Sequence, residues 1–377
     1  MSRRQGKNRM GLISYLIWLL NILFAAALLL SYLSAYINPE ITTFFAFLGL
    51  GYLFLMLANL LFMLYWLIRG KGKLFLSLVV ILMGYASFTK HVQVFPGREA
   101  PTEKGFNILS YNVQNMVHSN LGIEKEENRI RIYDFIEKEK SDIVCIQEFA
   151  NRTGDFEGVF GRMKELTGYP YCYFKSYHPG KTNSIEGLVI LSNFPAVHSG
   201  VVSTSNGYDI FGQYADILID TDTIRVYNLH MKSIRLRHED YKFMDDISRG
   251  QTEQAEIRSS STNIIRKLHT AYQLRARQTL VVEGSLEDCP YPVIICGDFN
   301  DTPLSFSYHK ISAGLEDAFV KAGHGLGNTY SGNLPPIRID FIFYSPIFSA
   351  YEFNVHKIDL SDHYPVSVWL KKKGEAE

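Results

Sequence analysis

"ICGDFNDTP", residues 295 to 303, starts as an apolar run and breaks into Gly297, Asp298, Asn300 and Asp301. Gly, Asp and Asn are common turn residues, so by itself the segment reads as a loop. It gains meaning only if other segments deliver similar groups to the same place. Five others have the same form: "LSYNV" presents Asn112, "CIQEF" Glu148, "YNLHM" Asn228 and His230, "RIDFIF" Asp340, and "LSDHYPV" Asp362 and His363. Each alone has a plain explanation as a turn, a cap, a solvated strand end or a hydrogen-bonded core histidine. Together they do not, because gathering so many carboxylates, amides and imidazoles in one cleft is costly unless a cation offsets the charge.

Around these segments the chain alternates between two patterns. "FNILSYNV", "DIVCIQEF", "GLVILSNF", "DILIDTDTIRVYNLHM", "YPVIICGDF", "IDFIFYS" and "YPVSVWL" are short and β-rich, several apolar at nearly every position, as strands covered on both faces are. "EENRIRIYDFIEKE" and the stretch from about Gln251 to Glu287 carry helical spacing. Two stacked sheets with helices outside, a four-layer α/β sandwich, is the expected fold, although spacing alone also permits another α/β architecture. Cys145 and Cys296 lie in apolar runs and read as buried small side chains, while Cys172 and Cys289 lie nearer loops and could pair. No two cysteines have zinc-ligand spacing.

The first quarter differs. From Gly11 to Ile68 the only charged residue is Glu40. Segments 12–37 and 41–68 are each long enough to cross a bilayer as a helix, and 74–88 is a shorter third candidate whose alternative is a buried or interfacial helix. The basic residues Arg3, Arg4, Lys7 and Arg9, and then Arg69, Lys71 and Lys73, place the N-terminus and the second loop in the cytoplasm. With three spans the rest of the chain is extracytoplasmic, on a plasma or inner membrane; with two it stays inside. The expected organisation is a membrane domain over 1–89, a polar linker over 90–105 and a catalytic domain over 106–371.

In order and context, "YNVQN", "IQEF", "GLVILSNFP", "NLHMKS", "CGDFNDTP", "RIDFIF" and "SDHYP" resemble the motifs of the endonuclease/exonuclease/phosphatase superfamily, over about Gly105 to Lys371. The resemblance implies a deoxyribonuclease I-like two-sheet sandwich with its site at one edge. It implies Mg²⁺ (or Mn²⁺) held by Glu148 with Asn112 and Asp362 near it, an ion that takes oxygen ligands and keeps several waters. Asp298 then orients or deprotonates the attacking water and Asn300 holds it in line. His363, fixed by Asp340, and His230 face the phosphate oxygens, with Glu186 the candidate partner that orients His230. Asn228, Tyr330 and Arg338 are the expected substrate-side residues. In the opening stretch Gly297 lets the backbone pass closely, and Asp301, Thr302 and Pro303 make the turn.

Substrate is less legible. Lys232, Arg235, Arg237 and Lys242 could grip a polyanion, but Glu239, Asp240, Asp245 and Asp246 are interleaved with or follow them, which favours a mixed solvated face. The net charge is zero, so no global field draws nucleic acid. Three functions stay open: a membrane-tethered nuclease, a phosphatase or phosphodiesterase acting on lipid head groups or small phosphorylated molecules, and a non-catalytic binding protein. Beyond the phosphoester substrate and the bilayer no protein partner is expected.

Overall fold

The computed structural model describes residues 11–95, 97, 105–117, 125–180, 184–205, 207–236, 238–249, 254–332 and 336–374. The N-terminal basic residues Arg3, Arg4, Lys7 and Arg9, residues 96 and 98–104 of the expected linker, Arg237, the expected helix start near Gln251 and residues 333–335 lie outside the described residues. The chain forms two compact units, the first made of residues up to Thr89 together with Leu304–Phe306, the second of Lys90–Pro303 and the residues from Ser307 onward.

In the second unit twelve strands run in chain order: β1 Phe106–Asn112, β2 Ile143–Asn151, β3 Tyr171–Ser176, β4 Ile185–Ser192, β5 Ala196–Ser205, β6 Tyr208–Ile219, β7 Asp222–His230, β8 Val293–Asp298, β9 Glu316–Asp317, β10 Asp340–Tyr344, β11 Phe348–Val355 and β12 Val366–Lys372. They make two mixed six-stranded sheets, ordered β11-β12-β1-β2-β4-β3 and β5-β6-β7-β8-β10-β9. Ile108, Cys145 and Ile190 of the first sheet share a core with Val226, Ile294, Cys296 and Ile342 of the second. Successive side chains point to opposite faces of a strand, so the intervening residues need their own cover. Leu109, Val144 and Ile146 pack with Ile132 and Ile136 of helix Lys125–Glu139, and Tyr227, Ile295 and Phe343 pack with Val282 of helix Gln254–Glu287. This gives four layers, as expected, and explains why these strands lack polar alternation. All four cysteines are free thiols, Cys172 and Cys289 included.

The first unit is a set of apolar helices. Leu12–Ala35 is 24 residues long with mean hydropathy 2.3, long and apolar enough to cross a membrane. The expected second span is instead a pair, Phe44–Leu50 and Tyr52–Ile68, bent by 65°. The expected third is an α-helix of only 10 residues, Leu74–Met83, followed after Gly84 by Tyr85–Thr89. At about 1.5 Å per residue, ten helical residues cover about half of a hydrocarbon core, so this segment does not form a continuous span.

Polarity in these helices is inverted. Leu16, Leu19, Leu20, Leu23, Phe54 and Leu61 face outward, while Asn21, Asn59 and Ser77 are fully buried. Asn21 Nδ2 donates to Ser77 Oγ (2.6 Å), Ser77 Oγ donates to Asn59 Oδ1 (3.0 Å), and Trp66 Nε1 donates to Asn21 Oδ1 (3.0 Å). The network joins three helices through one hydroxyl. Ser77→Ala should lower the thermal stability of the detergent-solubilised protein, by about 0.5–2 kcal/mol, as typical for interhelical hydrogen bonds in apolar surroundings. An unchanged melting temperature would show that the network contributes nothing.

Candidate active site

Strand register brings the polar residues together. His230, the last residue of β7, is the parallel partner of Asp298, the last residue of β8. Asp298 in turn is the antiparallel partner of Asp340, the first residue of β10. All three share the inner face of the second sheet with Cys296 and Ile342, because side chains two apart lie on one face. At the edge of that face the core residues give way to two carboxylates and an imidazole.

Two backbone irregularities complete the arrangement. In β2 the pairing with β4 shifts register between Ile146 and Phe149, and Glu148 within this bulge has φ of +53°. Bulges re-aim side chains, and a left-handed glutamate is strained by about 1–3 kcal/mol, a strain that recurs at functional sites. The glycine of the opening stretch is required: Gly297 has φ of +149°, and a Cβ there would overlap the backbone of Leu229 in β7. Only glycine allows β7 and β8 to lie this close just before His230 and Asp298.

Asp298 is the hub. Its Oδ2 accepts from Asn112 Nδ2 (3.0 Å) and Asn300 Nδ2 (2.8 Å), and its Oδ1 accepts from the Asn300 amide (2.7 Å). The same Oδ2 stands 3.9 Å from His230 Nε2 and 3.8 Å from His363 Nε2. Burial, with a further push from the Asp340 charge, raises the Asp298 carboxyl to about 6, against the downward pull of His363 and His230. His363 Nδ1 lies 2.9 Å from Asp340 Oδ2. Burial opposes charge on His363, but Asp340 and Asp298 outweigh it and hold its pKa well above the ordinary histidine value.

Glu148 is held from both sides. Asn112 Nδ2 donates to its Oε1 (3.4 Å) and Asn115 Nδ2 to its Oε2 (3.2 Å). Burial raises its pKa, but the neighbouring His230, then His363 and Asn112, bring it down to about 2. His230 Nδ1 is 2.9 Å from Tyr177 Oη, and its Nε2 is 3.1 Å from Glu148 Oε1. Burial disfavours charge on His230, and the Glu148 and Asp298 carboxylates more than offset it, so its pKa is raised. Burial also raises the Asp362 carboxyl, with Glu148 and Asp340 adding to the rise against the downward pull of His363.

Four carboxylates therefore face two imidazoles, and burial of that set raises the carboxyls of Asp298 and Asp362 in spite of the histidines. That donor chemistry suits a cation: Asp298, Asp340 and His363 each offer an atom within 4.8 Å of the others, although His363, when protonated against Asp340, offers no lone pair, and the carboxylates are then the donors.

Four expected residues lie elsewhere or act differently. Asn228 is fully buried, donating from Nδ2 to the carbonyls of Ile146 and Val189 (2.9 Å each) and accepting at Oδ1 from Gln147 Nε2 (2.7 Å). With every polar atom committed between the sheets, it is a brace and not a substrate contact. Arg338 is 3% exposed, paired with Asp317 (2.8 Å) and stacked over Phe319 and Phe341, so it cannot reach substrate. Glu186 accepts from Ser184 Oγ (3.2 Å), and the Nδ1 partner of His230 is Tyr177. Tyr330 does sit at the site, its ring 5.3 Å from that of His363 and its hydroxyl 3.3 Å from that of Tyr241. Asp301, expected only to turn the chain, also pairs with buried Arg275 (3.1 Å). Tyr177 carries no local signal, since it lies in a loop whose position depends on the sheet beside it, and Asn115, the last residue of "YNVQN", lies in a short 3-10 helix, Gln114–Met116, with φ of +56°.

A two-sheet sandwich with such an edge is of the deoxyribonuclease I-like class, the fold of phosphoesterases. Residues 109–363 match the model of the Endonuclease/Exonuclease/phosphatase family, and the chain belongs to that family. Residues 14–91 match a second model, described as a domain of unknown function (DUF8431). Among solved structures, a family protein of Bacteroides thetaiotaomicron is similar at 20% identity and TM-score 0.52, covering 72% of this chain and 97% of that one. A mannosyl-6-phosphatase of the same organism is similar at 19% identity and TM-score 0.50, covering 70% of this chain and 99% of that one. The human Nocturnin catalytic domain, solved with a bound sulfate, is similar at 15% identity and TM-score 0.50, covering 74% of this chain and 100% of that one. At these identities the likeness is one of fold. No curated protein matches the chain.

Two substitutions test the scaffold. Gly297→Ala should destabilise the protein by about 1–3 kcal/mol, read from urea unfolding, because the backbone must shift or remain strained. Asn228→Ala should cost about 1–3 kcal/mol for each of the two carbonyls left unpaired, with substrate KM unchanged. A raised KM without loss of stability would restore Asn228 as a substrate contact.

Proposed function

We propose that the chain is a membrane-anchored hydrolase of phosphoester bonds that works with Mg²⁺ or Mn²⁺. The supporting observation is that Glu148, His230, Asp298 and His363 converge from both sheets on one place, with Nε2 of each histidine within 4 Å of Asp298 Oδ2. Glu148 would hold the ion, with Asn112 and Asp362 beside it. Such an ion, when bound, neutralises charge on phosphoryl oxygens and assists the leaving oxygen.

Asp298 takes the proton of the attacking water, its raised pKa bringing it nearer to the working pH than an ordinary carboxylate. Asn300 fixes the Asp298 carboxylate and the water's line of approach. His363, kept cationic by Asp340, and His230 donate to phosphate oxygens whose charge grows during attack, a placement that commonly dominates such catalysis. Tyr177 orients His230, and Tyr330 walls the cleft beside His363.

Anchoring is supported by the inverted polarity of residues 12–83: an outward layer of Leu and Phe with Asn and Ser inside suits lipid and would be a liability in water. The domain boundary belongs at Thr89/Lys90, since the start of the expected linker is tied to the catalytic unit by Arg338 donating to the Lys90 carbonyl (2.7 Å) and by the Gln93–Gly325 bridge. Which side of the membrane the domain occupies follows from the number of crossings. A C-terminal reporter active only outside the cytoplasm reads it directly: signal requires an odd number.

Purified full-length protein with Mg²⁺ or Mn²⁺ should hydrolyse at least one of plasmid DNA, RNA, p-nitrophenyl phosphate, bis-p-nitrophenyl phosphate or phospholipids. Chelation should abolish the activity, and Glu148→Gln and His363→Ala should each lower kcat/KM by roughly 10²–10⁴-fold. Absence of hydrolysis across the panel, or activity indifferent to both substitutions, favours the non-catalytic binding protein. Tyr177→Phe should lower kcat while Glu186→Gln leaves it unchanged; the opposite result would return the orienting role to Glu186.

A further inference from the structure

The loop that leaves His230 opens onto a second feature. Lys232, Ser233, Ile234 and Arg235 form one wall of a cavity of about 500 Å³, and Asn263, Arg266, Lys267, Thr270 and Leu274 of helix Gln254–Glu287 form another. That volume falls within the range of small-molecule sites, roughly 300–1,000 Å³. Lys232 follows His230 by two residues, so their Cα atoms are at most about 7 Å apart. The loop is held rigidly: the Lys232 amide donates to Gln278 Oε1 (2.8 Å), and its carbonyl accepts from Arg275 Nη1 (2.9 Å), itself anchored by Asp301.

Four cations and one carboxylate, Glu239, line this cavity, and one of the four, Lys267, is paired with Asp240 just outside it, so positive charge still predominates. Of the acidic residues that in sequence seem to neutralise the basic loop, Asp240 pairs with Lys267 of the cavity's second wall, and Asp245 pairs with Arg249 (2.9 Å), which leaves Lys232 and Arg235 of the loop itself. Among the described residues Lys232 and Arg235 have no ion-pair partner, and Arg266 donates only to Asn263 Oδ1 (2.8 Å). Burial and the nearby Arg235 charge both work against the Lys232 ammonium, with Asp209 pulling the other way. Uncompensated like charges facing a cavity are relieved by an anion, and their field concentrates anions there. Among the described residues no aromatic ring lines the cavity, so charge and hydrogen bonding, not base stacking, would hold an occupant.

The geometry points to a second anion subsite: Lys232, Arg235 and Arg266 receive a further phosphate group of the substrate, one carried on the same small molecule as the phosphate that reaches His230 and His363. The substrate class is thus a polyphosphorylated small molecule, which selects the phosphatase side of the proposed function and rests on that reading. Its phosphorylated portion is the shared chemistry, whether free or borne by a lipid.

The test separates the two claims. Binding of fructose 1,6-bisphosphate and fructose 6-phosphate to the full-length protein in detergent is measured by calorimetry without divalent cations. The bisphosphate should bind at least tenfold more tightly, with an advantage that shrinks as salt rises. That advantage should fall to less than threefold in the surface double variant Arg235→Gln/Arg266→Gln, whose fold is checked by circular dichroism. Vesicles containing a lipid with a bisphosphorylated head group, compared with a monophosphorylated one, distinguish a lipid-borne from a free source. Equal binding of the mono- and bisphosphate in both formats, or an advantage that survives the double variant, overturns the subsite. Hydrolysis of bis-p-nitrophenyl phosphate with Mg²⁺ reports the other claim: activity without the binding difference sinks the subsite alone, and the binding difference without activity sinks the catalytic reading alone.

Discussion

The site depends on one buried carboxylate. Asp298 ends a central strand of the second sheet, accepts from Asn112 of the first, and stands just under 4 Å from two imidazoles. A buried carboxylate is tolerated when donors and cations surround it, and here each donor arrives from a different part of the chain. The bond from Asn112 spans the two sheets, so the edge of the sandwich is fixed by the same contact that organises the chemistry. Asn228 and Gln147, a layer deeper, brace the sheets by the same means, with every donor of the Asn228 amide satisfied on backbone carbonyls.

Polar groups are handled in opposite ways in the two units. In the catalytic unit apolar side chains fill the space between and outside the sheets, and polar ones emerge at an edge. In the helical unit Asn21, Asn59, Ser77 and the Trp66 indole meet inside while leucines and phenylalanines cover the exterior. Both arrangements satisfy buried hydrogen-bonding groups. They differ in which side chains the outer surface presents.

Charge gives the region around the cleft its asymmetry. At the strand ends carboxylates outnumber imidazoles, a setting for a cation. Two residues along the chain from His230 the balance reverses, because Asp240 and Asp245 turn to partners outside the loop and leave Lys232 and Arg235 unneutralised. The two regions lie next to each other because the same loop that leaves His230 carries Lys232 and Arg235.

The amino-acid sequence alone determined which segments are strands and helices and which polar residues end the strands, and the resemblance of its motifs to a family chose the four-layer sandwich among the α/β architectures that spacing permits. Near-continuous apolar runs require cover on both faces, and polar residues placed at the ends of such runs have few places to go but a common edge, so Asn112, Glu148, His230, Asp298, Asn300, Asp340 and His363 were legible. Tertiary structure decided what each polar residue touches. Arg338 and Asn228 look like ligand contacts in sequence, yet Asp317 and two backbone carbonyls claim them, because burial forces each polar atom to find a partner inside the protein. The bulge that turns Glu148 toward the cleft, the tyrosine behind His230 and the basic cavity assembled across more than thirty residues of sequence leave no local pattern. They arise from strand register and from a helix returning beside a loop, and periodicity carries no information about which distant segments become neighbours.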